Sequence, residues 1–215
     1  MSDTLIKICG LSTPETIDAA VAAGATHVGL VHYPPSPRHL TLDQAAALRR
    51  RVPSRVKVVL LLVNEQPQPT ALALQAVRPD VVQFHGGETP EWLALLRQNT
   101  ALEIWKAFGL RDADGLAKAV RYKDAAHLIL FDAPAQALPG GNGLAVDWSL
   151  LAGYRHEMPW GLAGGLTPGT VAEAIRITGA PLVDASTGLE SAPGVKDVDK
   201  IAAFCKAARG ANQRP

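Results

Sequence analysis

The sequence predicts a single-domain α/β protein of the (β/α)8 barrel class, and three observations carry that prediction. Eight short runs rich in Val, Ile and Leu alternate with helical stripes along 215 residues, a length over which eight parallel strands and their helices close into a barrel. The dipeptide Thr-Pro recurs at Thr13-Pro14, Thr89-Pro90 and Thr167-Pro168, each time a few residues past a β-branched run that ends in glycine. Threonine caps a helix by accepting from its unpaired N–H groups, and proline suits the first helical position because its missing N–H would be unpaired there anyway. Finally, an open doubly wound sheet would carry a Gly-x-Gly-x-x-Gly turn after its first strand, whereas that turn reads Cys9-Gly10-Leu11-Ser12-Thr13.

In chain order the strands are expected at Leu5 to Cys9, His27 to Val31, Val56 to Val63, Val81 to His85, Glu103 to Ala107, Leu128 to Asp132, Trp160 to Ala163 and Leu182 to Ala185. Apolar residues at helical spacing fill the gaps. The stripes run through Ile17, Ala20, Val21 and Gly24; Leu42, Ala45, Ala46 and Arg49; Leu72, Gln75 and Ala76; Leu93, Leu96 and Arg97; Leu116, Ala119 and Val120; Val171, Ala174 and Ile175; and Ile201, Phe204, Cys205 and Ala208. The sixth connection is the weakest, since Asp147-Trp148-Ser149-Leu150-Leu151 supplies barely one turn or two after a long loop. Pro and Gly are scattered rather than pooled into a linker, so residues 1–215 read as one domain with 210–215 as a frayed tail.

Lys and Arg number 21 against 20 for Asp and Glu, and neither sign clusters. A nucleic-acid groove or an anionic membrane surface therefore has no electrostatic footprint, which leaves a small-molecule substrate. The longest hydrophobic run, Val58 to Val63, is too short to span a bilayer, and the first residues do not pair a basic segment with an apolar one. A cytoplasmic protein is expected. Two cysteines, Cys9 and Cys205, make neither a disulfide framework nor a zinc cluster, and no His, Cys or carboxylate set has metal-ligand spacing, so no metal is expected.

In such a barrel the chemistry lies at the C-terminal ends of the strands. The residues there are Cys9, Arg38, Asn64, Gln83 with His85, Lys106, Asp132, Gly164-Gly165, and Asp184 with Ser186-Thr187-Gly188, a polar list for strand ends. Side chains two apart face the same way, which puts Lys7 with Cys9, Gln83 with His85 and Asp184 with Ser186 on the inner face. Gly164-Gly165 and Ser186-Thr187-Gly188 follow strands seven and eight, the two loops that in many barrels hold a phosphate on backbone N–H groups; singly they read equally well as a tight turn and a cap.

Cys9 alone reads as a small buried hydrophobe, but with Lys7 two residues back it reads as a base. Asp132 is a turn former before Ala133-Pro134 or a catalytic acid at the end of a buried strand, and the stretch Pro134 to Gly143 reads as a lid. His85 reads as a polar or packing residue, and His27, His32, His39, His127 and His156 as local ones. Cys205 falls on the last helical stripe and reads as core. Strands one and six, which carry Cys9 and Asp132, lie on roughly opposite sides of an eight-stranded ring, where a base and an acid could act on one substrate from two sides. The acid needs a pKa raised by burial or a like charge, and the thiol one lowered by cations such as Lys7.

The segments Lys7-Ile8-Cys9-Gly10, Tyr33 to Arg38, Val63-Asn64-Glu65, Val82 to Gly86, Phe131-Asp132, Gly140 to Gly143, Leu162 to Leu166, Val183 to Glu190 and Pro193 to Asp197, in this order, resemble the phosphoribosylanthranilate isomerases of tryptophan biosynthesis. The resemblance implies an Amadori rearrangement of N-(5-phosphoribosyl)anthranilate to 1-(2-carboxyphenylamino)-1-deoxyribulose 5-phosphate, without metal or organic cofactor. It assigns Cys9 as the base at ribose C2, Asp132 as the acid at the ring oxygen, and Arg38 as the holder of the anthranilate carboxylate. Asp184, Gln83 and His85 would line the substrate pocket, and Gly141, Gly164, Gly165, Ser186, Thr187 and Gly188 the phosphate. His32, Asn142, Ala185 and Thr187 depart from the family's usual pattern without removing a reacting group. The implied partner is a small phosphorylated substrate, and the chain is expected as a monomer or a homodimer. Rival readings are another phosphosugar barrel enzyme, which would carry catalytic lysine and glutamate at its strand ends or an aspartate in place of Cys9, and a non-catalytic phosphometabolite-binding barrel.

Overall fold

Eight strands form in the predicted order: Leu5–Cys9 (β1), His27–Val31 (β2), Lys57–Leu62 (β3), Val81–Phe84 (β4), Glu103–Gly109 (β5), Leu128–Asp132 (β6), Trp160–Leu162 (β7) and Leu182–Ala185 (β8). The computed structural model describes residues 4–134 and 146–211. Each strand pairs in parallel with its sequence neighbour, and β8 returns to β1 to close the barrel. The helices are Pro14–Ala22 (α1), Leu42–Arg49 (α2), Pro67–Val77 (α3), Pro90–Asn99 (α4), Ala113–Val120 (α5), Val171–Thr178 (α6) and Val198–Gly210 (α7). Between β6 and β7 the described residues hold only a 3-10 turn, Trp148–Leu150, where the sequence is weakest in helical signal. A small hairpin, Glu190–Ala192 (β9) with Val195–Lys196 (β10), follows β8.

Five strand boundaries move, in four of the strands. Val56 closes a turn by donating its N–H to Pro53 O at 2.9 Å, so β3 starts one residue late, and it stops before Asn64, whose φ of 54° is left-handed. β4 and β7 each stop one residue short, at Phe84 and Leu162, although the amides of His85 and Ala163 still reach the neighbouring strand. β5 runs on to Gly109 because Phe108 and Gly109 pair with Phe131 and Asp132.

Two of the three Thr-Pro sites behave as predicted. Thr13 caps α1 in a reciprocal box with Thr16, and Thr89 accepts from Trp92 N–H at 3.3 Å. The third does not open its helix, which begins at Val171 after Thr170. Thr167 N–H donates to Thr170 Oγ1 at 3.0 Å, and Thr170 N–H to Thr167 O at 3.2 Å. With Gly169 between them, that side-chain turn outcompetes helix propagation. The stripe through α3 is also corrected: Thr70, Ala73 and Val77 are buried, whereas Leu72 is 55% exposed. The last helix includes Gly210, one residue into the expected tail.

Alternation along the strands separates two cores. Residues such as Ile6, Ile8, Val28, Leu60, Val82, Phe131 and Val183 point outward onto the helices, and Ala185 belongs with them. Val59, Val81, Trp105, Ala107, Leu128, Leu130, Ala163 and Leu182 fill the barrel itself. Nearer its mouth lie Cys9, Val31, Leu61 and Val63, with Tyr33 packed against them. Strands buried on both faces read as near-continuous apolar runs, which is why the strand pattern was so plain. The seams are uneven: β2 and β3 share five register pairs, β7 and β8 one, Leu162 with Val183.

Cys205 is wholly buried in α7, where burial pushes its thiol up to about 11. Cys205→Ser is expected to leave kcat unchanged and to cost about 1 to 3 kcal/mol of stability, because it buries a hydroxyl without a provided partner. Urea unfolding with parallel activity assays checks this.

Candidate active site

Register places Lys7 beside Asp184 across the β1–β8 seam. Lys7 is 0% exposed, and its Nζ donates to Asp184 Oδ2 at 2.8 Å. Burial alone would lower the Lys7 pKa, but Asp184 and Cys9 more than reverse that, and it stays an ammonium. Asp184 is pushed up by burial against the pull of Lys7, and its buried Oδ1 has no hydrogen-bond partner among the described residues. Cys9 lies one step further towards the mouth. Its thiol does not follow the expected direction: burial raises its pKa, Lys7 only partly offsets that, and Asp184 raises it further.

Across the barrel, β4 and β6 meet through their ends. His85 Nε2 lies 3.1 Å from Asp132 Oδ2, and Gln83 Nε2 lies 3.4 Å from His85 Nδ1. Ala133 N–H donates to Asp132 Oδ1 at 2.7 Å, so both carboxyl oxygens are oriented. His85 thus stands between Gln83 and Asp132, in polar contact with both. Gln83 Oε1 is buried without a partner among the described residues. β6 stands three places from β1 around the ring, with β7 and β8 between them, so the expected opposition of the two strands is approximate.

Arg38 crosses the end of β1. A Cβ on Gly10, whose φ is +76°, would lie 2.6 Å from Arg38 Cδ and 3.3 Å from Ser186 Oγ, so only glycine lets that side chain pass. Arg38 Nε and Nη2 donate to Glu190 Oε1 and Oε2 at 2.7 and 2.8 Å. Lys196 Nζ reaches the same Glu190 Oε1 at 2.5 Å and Ser186 O and Oγ at 3.0 and 3.2 Å. Burial works against charge on Glu190, but these bonds hold its carboxyl below the usual range.

Asn64 and Lys106, two of the polar strand ends, serve the scaffold. Lys106 Nζ donates to Gly86 O at 2.6 Å and to Glu88 Oε2 at 3.2 Å, while Glu88 accepts from Asn64 and Gly86 N–H at 2.7 and 2.9 Å. Tyr122 of the segment after α5 donates to Glu88 O at 2.8 Å. This knot ties the loops after β3 and β4 to β5 and to the segment after α5. Sequence reasoning missed Glu88, Glu190 and Lys196; a buried Arg and a buried Lys at strand ends each demand a carboxylate, and that demand was the available signal.

After β7, Gly164 and Gly165 take φ of +78° and +70°, and among the described residues their amides meet no internal acceptor. A Cβ on Gly188 would fall inside the Leu166 carbonyl, so the loops after β7 and β8 lie in direct contact. Ser186 precedes the 3-10 turn Thr187–Leu189. Gly141, Asn142 and residues 135–143 of the expected lid lie outside the described residues. Among the described residues no three His, Cys, Asp or Glu groups form a metal cluster, and no helix is long and apolar enough to cross a membrane.

Known proteins agree with this geometry. The chain is 64% identical over 208 residues to N-(5'-phosphoribosyl)anthranilate isomerase of Erythrobacter litoralis, covering 97% of this chain and 100% of that protein. Phosphoribosyl anthranilate isomerase from Thermotoga maritima superposes with a TM-score of 0.88 at 33% identity, over 96% of this chain and 99% of its own. A phosphoribosyl anthranilate isomerase solved in complex with reduced 1-(o-carboxyphenylamino)-1-deoxyribulose 5-phosphate gives a TM-score of 0.85 at 32% identity, over 96% of this chain and 99% of that one. The family model for N-(5'phosphoribosyl)anthranilate isomerase matches residues 6–207, nearly the whole barrel. Matched over nearly its whole length by the family model and by a relative of 64% identity, the chain belongs to the N-(5'-phosphoribosyl)anthranilate isomerase family.

Proposed function

We propose that the protein isomerises N-(5'-phosphoribosyl)anthranilate to 1-(2-carboxyphenylamino)-1-deoxyribulose 5-phosphate in tryptophan biosynthesis, with Asp132 as acid and Cys9 as base. The observation that carries this reading is the pair of mouth residues, Cys9 at 5% and Asp132 at 7% exposure, each gripped by a different polar set on a different arc of the barrel. Asp132 gives its proton to the ring oxygen as the C1–O bond breaks, leaving an open-chain Schiff base. Cys9 takes the C2 proton, and the electron pair moves onto the imine to give an enolamine. The enolamine gains a proton at C1 and loses one from its 2-hydroxyl, so the overall change is an isomerisation balanced in atoms and electrons. Lys7, held protonated beside Cys9, favours the thiolate that the step requires. Loss of the substrate's anthranilate fluorescence on adding the protein tests the reading. No loss at micromolar protein would overturn it.

The phosphate is assigned to the Gly164-Gly165 turn and the Ser186-Thr187-Gly188 segment. What supports this is the unpaired glycine amides and the contact between the two loops. Crystals grown with sulfate or phosphate are expected to hold the anion between these segments. An anion seated at the opposite end of the barrel, with this position empty at saturation, would count against the assignment.

A further inference from the structure

The guanidinium of Arg38 has five N–H donors, arranged as a side edge (Nε and one Nη2 hydrogen) and an end edge (one hydrogen each from Nη1 and Nη2). Glu190 occupies the side edge through both its oxygens, at 2.7 and 2.8 Å, and no described residue takes Nη1. Among the described residues the end edge therefore remains open as a second fork for a planar carboxylate. Glu190 is itself fixed: Lys196 Nζ donates to its Oε1, Gly194 N–H to its Oε2 at 3.2 Å, and Lys200 Nζ to its backbone carbonyl at 2.8 Å. Arg38, Glu190 and Lys196 are all buried, at 8, 9 and 8% exposure.

A carboxylate that occupied one edge of an arginine would ordinarily cancel its charge and repel a second carboxylate. Here Lys196 restores the balance, since two cations against one anion leave the cluster at +1. From this arrangement we propose that Glu190 and Lys196 are the specificity-determining positioning residues of the site: Glu190 locks Arg38 with its end edge presented, and Lys196 keeps the cluster cationic, so that it selects substrates bearing an aromatic carboxylate. The hairpin of β9 and β10, which carries both residues, is then a specificity element rather than a closing flourish of the chain. The proposal rests on the reading that Arg38 holds the substrate's carboxylate.

The test compares phosphoribosylanthranilate with the analogue made from aniline, which lacks the carboxylate, and reads selectivity as the ratio of their kcat/KM values. Glu190→Gln keeps the shape but loses the charge and one acceptor, and Lys196→Met drops the cluster from +1 to 0 while keeping the stem. Each is expected to lower the selectivity at least tenfold, through KM for the carboxylated substrate. Lys196→Met leaves Glu190 paired with Arg38, so it carries the test even where Glu190→Gln fails to fold. If both substrates lose equally, or neither loses, Glu190 and Lys196 are structural only and the proposal falls. Arg38→Met run in parallel separates the two layers. If the native protein shows no selectivity and Arg38→Met changes none, it is the reading of Arg38 that fails; if Arg38→Met alone destroys selectivity, only the positioning role does.

Discussion

Replacing Cys9 by Ala should abolish measurable turnover while the product analogue still binds. The C2 proton is weakly acidic, and positioned proton transfer is typically worth about 10²- to 10⁴-fold in rate. Serine should not rescue it, since a hydroxyl in the same buried position ionises far less readily than a thiol. The structure also sets the pH dependence. Burial raises the Cys9 thiol above its ordinary value, so in the free protein the thiolate is a minority form at neutral pH. The limb of kcat/KM that depends on this base should therefore keep climbing with pH beyond the point where an exposed thiol is half ionised. Lys7→Met removes the cation that opposes burial and should move that limb to still higher pH. Stopped assays across pH, together with calorimetric binding of the analogue, check both parts. Near-native kcat in Cys9→Ala would remove Cys9 from the chemistry.

Asp132→Asn is the second large effect. Asparagine fits the same space, can still accept from Ala133 N–H and can still meet His85, so the fold and the binding site should survive. It cannot deliver a proton to the departing ring oxygen. The loss is therefore expected in kcat, by about 100-fold or more, with KM much less affected. Retention of more than about a tenth of native kcat, under roughly 1.4 kcal/mol of barrier, would mean that another group supplies the proton. His85 would be the first alternative to examine, given its contact with Asp132.

The strands were legible because barrel strands are buried on both faces and so announce themselves as apolar runs between turn residues. The ends of those runs were less legible, since Asn64 terminates β3 through backbone conformation and β5 lengthens through pairing with β6, neither of which is local information. The third Thr-Pro failed as a helix start for a reason visible only in hydrogen bonds, the mutual grip of Thr167 and Thr170. Among the site residues, position along the chain was enough to bring Cys9, Asp132, Gln83, His85 and Asp184 to one mouth. Charge partnerships were not readable in that way. Arg38 finds Glu190 across 152 residues of sequence, and Lys7 finds Asp184 across 177, distances at which no periodicity speaks. The direction of the Cys9 shift was misjudged for a related reason: counting Lys7 as a neighbour captures the attraction but not the dehydration that outweighs it.

The lone register pair between β7 and β8 makes that junction the loosest stave of the cask. The two segments assigned to the phosphate hang on either bank of it, Gly164-Gly165 from β7 and Ser186-Thr187-Gly188 from β8. An anion bound to both would act as a clasp across the gap, adding a fastening where the backbone supplies little. Substrate capture and the integrity of the cylinder would then be one thermodynamic event, since a ligand that requires the closed form stabilises it by mass action. Backbone amides on the two banks should exchange their hydrogens faster than those of β2 and β3 in the empty protein, and slow down selectively as inorganic phosphate is added.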